Sequence, residues 1–163
     1  MSHLQLAALK LKQYSDADLS FLTRLYITVR RDEFQAANWP ETQLTQFLTQ
    51  QFSAQYDYYC QHYCADSFNI IFYQSQPIGR LFVEYRHDDI RVVDISLLPE
   101  YRNKGIASYY FQQLFDQAKS SQRCVTIHVE RNNPARHLYE RLGFKFKSQT
   151  DDVYLLMQWQ LDN

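Results

Sequence analysis

Glycine is scarce in this chain. Only Gly79, Gly105 and Gly143 occur among 163 residues, where average usage of about 7% predicts roughly eleven. That shortage excludes whole classes of site. The dinucleotide fingerprint G-x-G-x-x-G and the Walker A phosphate loop both need clustered glycines, and no two glycines here are close together. Each of the three is expected where a side chain is not tolerated.

Cysteine is also sparse and odd in number, at Cys60, Cys64 and Cys124. With no export signal visible in the first residues, the pattern reads as reduced thiols in a cytoplasmic protein. Cys60 and Cys64 bracket His62, a spacing that a metal site could use. No second ligand pair follows, and two thiols one helical turn apart is the plainer reading, with no metal expected. No apolar run approaches 18 residues, so no transmembrane helix is expected. Neither sign of charge is in excess: 17 basic against 18 acidic residues give a net charge of −1. A duplex-binding protein usually shows a basic surplus, which makes nucleic acid an improbable main partner.

Aromatics, by contrast, are plentiful, with 13 Tyr and 11 Phe. They suit a packed core and a pocket that stacks or binds amines. The length fits one domain over residues 1–163. Alternation at Leu9 and Leu11 predicts a strand over 6–13. Ser15 and Asp18 form a capping-box pattern for a helix over 16–34. Trp39-Pro40 interrupts, and Pro40 starts a second helix over 41–62. Strands are predicted at 67–73, 80–87 and 90–98, with Gly79 marking a turn over 74–79. A third helix starts near Gly105 with an apolar stripe at Ala107, Tyr110, Phe111, Leu114 and Ala118. A strand at 124–130 precedes a fourth helix, with Asn133 at its N-cap, Pro134 at N1 and Gly143 just past its end. A hairpin of strands at 144–149 and 153–161 completes the chain. The order β-α-α-β-β-β-α-β-α-β-β predicts an α/β protein with a mixed, mostly antiparallel sheet, about four flanking helices and one parallel crossover.

The segment from Leu97 to Ala107 joins a buried strand to a helix N-terminus. Such a terminus presents unpaired N–H groups and partial positive charge. Gly105 allows close backbone approach, while Arg102 and Lys104 add cationic charge. The combination suits a pyrophosphate, although an ordinary strand–loop–helix link with solvated charges has the same composition.

Arg102-x-x-Gly105-x-Ala107, following a strand that ends at Pro99, resembles the acetyl-CoA signature of the GNAT acetyltransferase superfamily. Asn132-x-x-Ala135-x-x-x-Tyr139-Glu140-Arg141-x-Gly143-Phe144 resembles the strand–helix element that follows it in that family. The two lie in the family's order and at a typical separation, and the element order extends the resemblance over nearly the whole chain. The resemblance implies an acetyl-CoA-dependent N-acetyltransferase. Backbone groups of Leu97 and Leu98 would pair with the pantetheine arm. Backbone N–H groups of Arg102, Asn103, Lys104, Gly105, Ile106 and Ala107 would hold the pyrophosphate, with Ser108 adding a hydroxyl. Asn132 would contact the cofactor where two strands part, and Tyr139 would sit near the thioester sulfur. Ala107 stands where many members carry glycine, a common alternative.

The implied chemistry is attack of a neutral amine on a thioester. An alkylammonium has a pKa of about 10.4, so only about one in 10³ is neutral at pH 7. A base is therefore useful, and the departing thiolate needs a proton. Tyr139 is the expected acid, although Ala135, Leu138, Tyr139 and Leu142 also form an apolar stripe. Asp94 is the expected base, with a structural carboxylate as the alternative. Glu84, Glu130 and His128 compete with it. Acceptor recognition is expected from the first two helices: Glu33 with Trp39 would bind a cationic amine, or Arg30 a carboxylate. A non-catalytic acyl-CoA-binding domain on the same fold is the alternative function, and a homodimer is plausible.

Overall fold

The computed structural model describes residues 3–161. Seven strands form one sheet in the order β1-β2-β3-β4-β5-β7-β6. They are β1 (Leu9–Gln13), β2 (Ser67–Tyr73), β3 (Gln76–Tyr85), β4 (Asp89–Leu97), β5 (Cys124–Glu130), β6 (Lys145–Gln149) and β7 (Tyr154–Trp159). Every neighbouring pair is antiparallel except β4 and β5. The helices are α1 (Leu19–Arg30), α2 (Glu41–His62), α3 (Ile106–Ser121) and α4 (Ala135–Arg141). The predicted mixed sheet, four helices and single parallel crossover through α3 are all present.

Period-two alternation divides the core between the two faces. Phe68, Ile70 and Phe82 pack under α1 and α2 with Leu22, Leu25 and Leu48, and the Phe68 and Phe82 rings stack at 4.4 Å. Ile71, Leu81, Val83 and Val92 face α3 and α4, meeting Ile106, Phe111 and Leu114. The stripe read from the sequence of the third helix is this buried face.

Several ends follow their sequence signals. Ser15 and Asp18 form the capping box, with the Asp18 carboxylate accepting the Ser15 N–H at 2.9 Å. Asn133 Oδ1 accepts the Ala135 N–H at 2.9 Å and starts α4 behind Pro134. At its other end the Phe144 N–H bonds the Tyr139 carbonyl at 3.0 Å and the Gly143 N–H bonds that of Glu140 at 3.1 Å. This paired closure needs the left-handed φ of +104° at Gly143. It also seats the Tyr139 and Phe144 rings 5.9 Å apart.

Three boundaries differ from expectation. Residues 6–8 are a 3-10 turn ahead of β1, and the first predicted helix is interrupted, with Arg31–Ala37 winding as 3-10 after α1. The turn expected over 74–79 is confined to Gln74 and Ser75, both left-handed at φ 51° and 64°. Two successive left-handed residues match the twist of a tight hairpin, even without glycine. Gly79 instead lies inside β3, opposite Leu97. A Cβ there would collide with the Ser96 carbonyl and with the Leu97 side chain. Gly79 is thus a close-approach residue that lets β3 lie against the end of β4. Gly79→Ala is expected to destabilise the protein by about 1–3 kcal/mol, read as a lower midpoint in urea or thermal unfolding. An unchanged midpoint would show that this contact is not tight.

Candidate active site

A bulge shapes the centre of the sheet. Val83 pairs with Val92 but Phe82 pairs with Asp94, so Val93 is an extra residue in β4. Pairing between β4 and β5 covers only Asp89–Val92 against Cys124–Ile127. Beyond it the two strands part, and a cleft of about 1320 Å³ runs through the opening.

One end of the cleft is built from β4, the loop after it and the start of α3. Asn103 and Gly105 both have left-handed φ, 59° and 83°, on either side of Lys104. This winding and the free N–H groups of the α3 start form an anion-binding concavity. Arg102, Asn103, Gly105, Ile106, Ala107 and Ser108 all line it, and Arg141 adds a second cation. Lys104 and Asn132 are exposed and lie outside the lining, where Asn133 and Pro134 take the place expected of Asn132. Leu97 lines the cleft, and the side of β4 it turns there is the one β5 leaves unpaired. Its carbonyl accepts from Arg102 Nε at 3.2 Å. Leu98 is a correction. Its N–H bonds the Ile78 carbonyl at 2.8 Å and its carbonyl takes the Tyr101 N–H at 3.0 Å. Neither backbone group is left for a ligand arm, and the side chain packs against the α1–α2 core.

The two residues expected to carry the chemistry, Tyr139 and Asp94, both line the cleft. Tyr139 is buried, held edge-on by Phe111 at 5.6 Å and by Phe144. Burial, and then the charge of Asp94, push its phenol well above the usual value. Asp94 shares the face of Arg80 and Ser96. Its Oδ2 accepts from Arg80 Nε and, at 2.8 Å, from Ser96 Oγ. Arg80 is 3% exposed and also donates to Gln55 Oε1 at 2.8 Å. Arg80 was missed in the sequence, although a lone charge inside the apolar run from Ile78 to Val83 was its signal. Tyr59 of α2 is half-buried and lines the same cleft, and its phenol is also pushed up by burial and by Asp94.

The far end is walled by α1, α2, β5 and the start of β7. Arg30 Nε bonds Glu33 at 3.0 Å, and Arg30 Nη1 lies 3.6 Å from Glu130. This guanidinium is already shared by two carboxylates, which removes it as a free grip for a substrate carboxylate. Tyr26, Tyr58, Tyr59, Tyr63 and Tyr154 face the same space, as do His128 and Asp151. Two expected site residues, Trp39 for the acceptor and Glu84 as a competing base, lie elsewhere. Left-handed Asn38 ends the 3-10 stretch, and Trp39 then packs on Phe34 and Phe47 at 5.8 and 5.1 Å, outside the cleft. Glu84 sits at the opposite end of β3, where its carboxylate accepts the Cys64 N–H at 2.7 Å. Among the described residues no group of three or more His, Cys, Asp or Glu is placed to hold a metal, and no helix is long and apolar enough to cross a membrane.

A family model described as the acetyltransferase (GNAT) family matches residues 21–144. The chain belongs to the GNAT acetyltransferase family. Its match to an N-alpha-acetyltransferase of Saccharolobus solfataricus is 35% identical over 75 residues, 40% of this chain and 45% of that one. A segment of 76 residues is 29% identical to cysteine-rich protein 2-binding protein of Homo sapiens, 47% of this chain but 10% of that protein. The chain thus spans less than half the length of the curated relatives it matches. In fold it is similar to the PaiA N-acetyltransferase of Thermoplasma acidophilum in complex with coenzyme A, with a TM-score of 0.69 at 18% identity, covering 94% of this chain and 99% of that one. An acetyltransferase of Thermus thermophilus superposes with a TM-score of 0.68 at 14% identity, over 98% and 100%. The parted strands and the cationic helix start fit a GNAT coenzyme site.

No atom lies within 4 Å of the position a Cβ would take at Gly105. A side chain there points into the open concavity instead of the core. Gly105→Val is expected to weaken acetyl-CoA binding by at least about tenfold, because the side chain fills the concavity and a β-branched residue at positive φ distorts the loop, while the fold persists because the core is untouched. Calorimetry beside a circular dichroism melt checks this; normal affinity in a folded variant would remove Gly105 from the cofactor site.

Proposed function

We propose that this GNAT protein transfers an acetyl group from acetyl-CoA to a primary amine. The observation that carries the reading is the division of the cleft by charge. The helix-start end has Arg102 and Arg141 and no lining carboxylate. The rest of the cleft, from Asp94 to the far end, has Glu33, Asp94, Glu130 and Asp151 with five tyrosines, against Arg30 and Arg80, both engaged in ion pairs. One end suits a polyanionic donor. The other gathers ammonium groups and offers them phenol faces.

Acetyl-CoA, when bound, supplies the activated thioester. The helix-start N–H groups, Arg102 and Ser108 hold its phosphates, and the free edge of β4 at Leu97 aligns its arm. Arg80 and Ser96 both donate to one oxygen of Asp94 and fix its orientation. Its other oxygen takes the proton of the incoming ammonium, directly or through water. The new N–C bond forms as the C–S bond breaks. Tyr139 Oη donates a hydrogen bond to the charge that grows on sulfur. Because an alkyl thiol has a pKa of about 8.5, a phenol pushed well above 10 stabilises the thiolate without surrendering its proton outright, and solvent completes the transfer. A binding-only role would use the same cationic end but has no use for a buried phenol and an oriented carboxylate lining one cleft, so catalysis is the better reading.

Thiol release from acetyl-CoA, screened over alkylamines, amino acids and peptides, tests this directly. Release is expected with amines; binding of acetyl-CoA with no release from any acceptor would leave the binding-only role. Tyr139→Phe is expected to lower kcat at least about tenfold with acetyl-CoA affinity held. Because burial and Asp94 raise the phenol, it stays protonated from about pH 7 to about pH 9.5. In that range kcat should show no fall that Tyr139→Phe abolishes, and such a fall would overturn the assignment. Asp94→Asn is expected to lower kcat/KM by at least about tenfold, most steeply at low pH where the ammonium is hardest to deprotonate. Activity equal to wild type would return Asp94 to a purely structural role.

A further inference from the structure

A row of polar side chains runs beneath the β5 wall of the cleft, and neither the cofactor fit nor the proposed chemistry uses it. Arg86 donates to Asp89 through Nε at 2.8 Å and Nη2 at 3.2 Å. The Thr126 hydroxyl donates to Asp89 Oδ2. Arg91 Nε donates to Thr126 Oγ1 at 2.8 Å, and its Nη2 lies 3.8 Å from Asp89. Its remaining terminal nitrogen, Nη1, lies 3.3 Å from His128 Nδ1. Asp89, Arg91 and Thr126 are all buried. Buried ion pairs seldom stabilise a fold better than apolar residues of the same volume would. The row therefore calls for a reason other than stability, and it ends on a residue that lines the cleft.

A guanidinium has only donors, so the ring nitrogen facing it must accept. In a neutral imidazole the proton is then on the other nitrogen, Nε2. Protonating Nδ1 would set N–H against N–H and place a second positive charge beside Arg91. The charged groups around the ring agree. Burial, Arg91 and Arg86 all disfavour the imidazolium, and Asp151 from the turn before β7 opposes them more weakly. Glu130, two residues on along the same face of β5, is engaged by Arg30. Tyr154 stands opposite Glu130 on β7.

We propose that Arg91 is a positioning residue for the acceptor end of the cleft: it holds His128 as the neutral Nε2–H tautomer, so that His128 serves there as a hydrogen-bond donor and not as the base that takes the amine's proton. The donor role rests on the acetyltransferase reading, whereas the tautomer is a property of the free protein.

Nitrogen-15 NMR of the histidine-labelled full chain, with the His128 signals assigned by His128→Gln, tests the tautomer. The Nε2–H form is expected, titrating below the ordinary value of about 6.5. In Arg91→Met the midpoint should move up toward that value and the tautomers should mix. If that variant does not fold, Thr126→Val removes the acceptor that aims the guanidinium and should move the signals in the same direction. An Nδ1–H tautomer in the wild type, or a titration that neither variant moves, overturns the proposal. For the donor role, His128→Leu should lower kcat/KM at least about tenfold. His128→Gln, which keeps an N–H but has no basic nitrogen, should restore most of the loss. Gln as damaging as Leu would overturn the donor role. Failure to turn over any acceptor would instead sink the acetyltransferase reading, with the NMR outcome standing separately.

Discussion

The parting of β4 from β5 is the constraint on which the rest of the structure depends. One inserted residue, Val93, breaks the pairing register of β4 with β3, and pairing with β5 stops at Val92. Had the parallel pair continued, the backbone edge at Leu97 would be spent on β5 and no cleft would exist. An unpaired edge in the middle of a sheet is normally a liability, because each buried N–H and C=O without a partner costs about 1–3 kcal/mol. Here Arg102 covers the Leu97 carbonyl. An extended ligand arm laid along that edge would supply the partners a strand otherwise gives. The bulge also resets the alternation, so that Asp94 and Ser96 face Arg80 on the α1–α2 side.

Charge around that opening is organised largely in pairs. Arg80 and Asp94 neutralise one another in the floor, and Arg30 is divided between Glu33 and Glu130 at the rim. The buried Arg80 pair fixes geometry more than it adds stability, since removing one partner of a buried pair strands a charge at a cost of about 3–5 kcal/mol. The phenols of Tyr59 and Tyr139 feel the same carboxylate from two elements, and both are held protonated by burial and by Asp94. A neutral donor beside a fixed anion suits a reaction in which one proton must leave nitrogen and negative charge must settle on sulfur.

Much of this was legible in the sequence because the signals were local. Helix and strand spans at 41–62, 67–73 and 124–130 coincide with the structure, as do the caps at Ser15, Asn133 and Gly143. The residues around Arg102–Ser108 and Tyr139 sit on short-range patterns, and they line one cleft. What was missed depends on long-range pairing. The bulge at Val93 has no composition signal. Leu98 looked equivalent to Leu97 until pairing with Ile78 took its N–H. Trp39 and Arg30 lie nine residues apart in the chain, yet the left-handed turn at Asn38 sends the ring out to Phe34 and Phe47 and leaves the guanidinium inside. The five tyrosines at the far end come from α1, α2, the residue just past α2 and β7, and only the fold brings them together.

The glycine shortage acquires a physical sense once the backbone is known. Left-handed positions are not avoided. They are filled by Asn38, Gln74, Ser75, Asn103 and Gln122 as well as by Gly105 and Gly143. Such residues accept a cost of roughly 1–2 kcal/mol each, which the tight hairpin and the helix ends evidently absorb. Glycine is kept where a Cβ itself is the obstacle. At Gly79 the obstacle is the neighbouring strand, and at Gly143 it is the Trp159 ring, 3.2 Å from where a Cβ would stand. At Gly105 nothing in the protein obstructs a Cβ. Asn103, two residues earlier, shows that this loop tolerates a left-handed side chain. Even so, the φ of +83° at Gly105 strains any side chain, and Gly105 lines the cleft, so the position combines a backbone demand with a place that a ligand would approach.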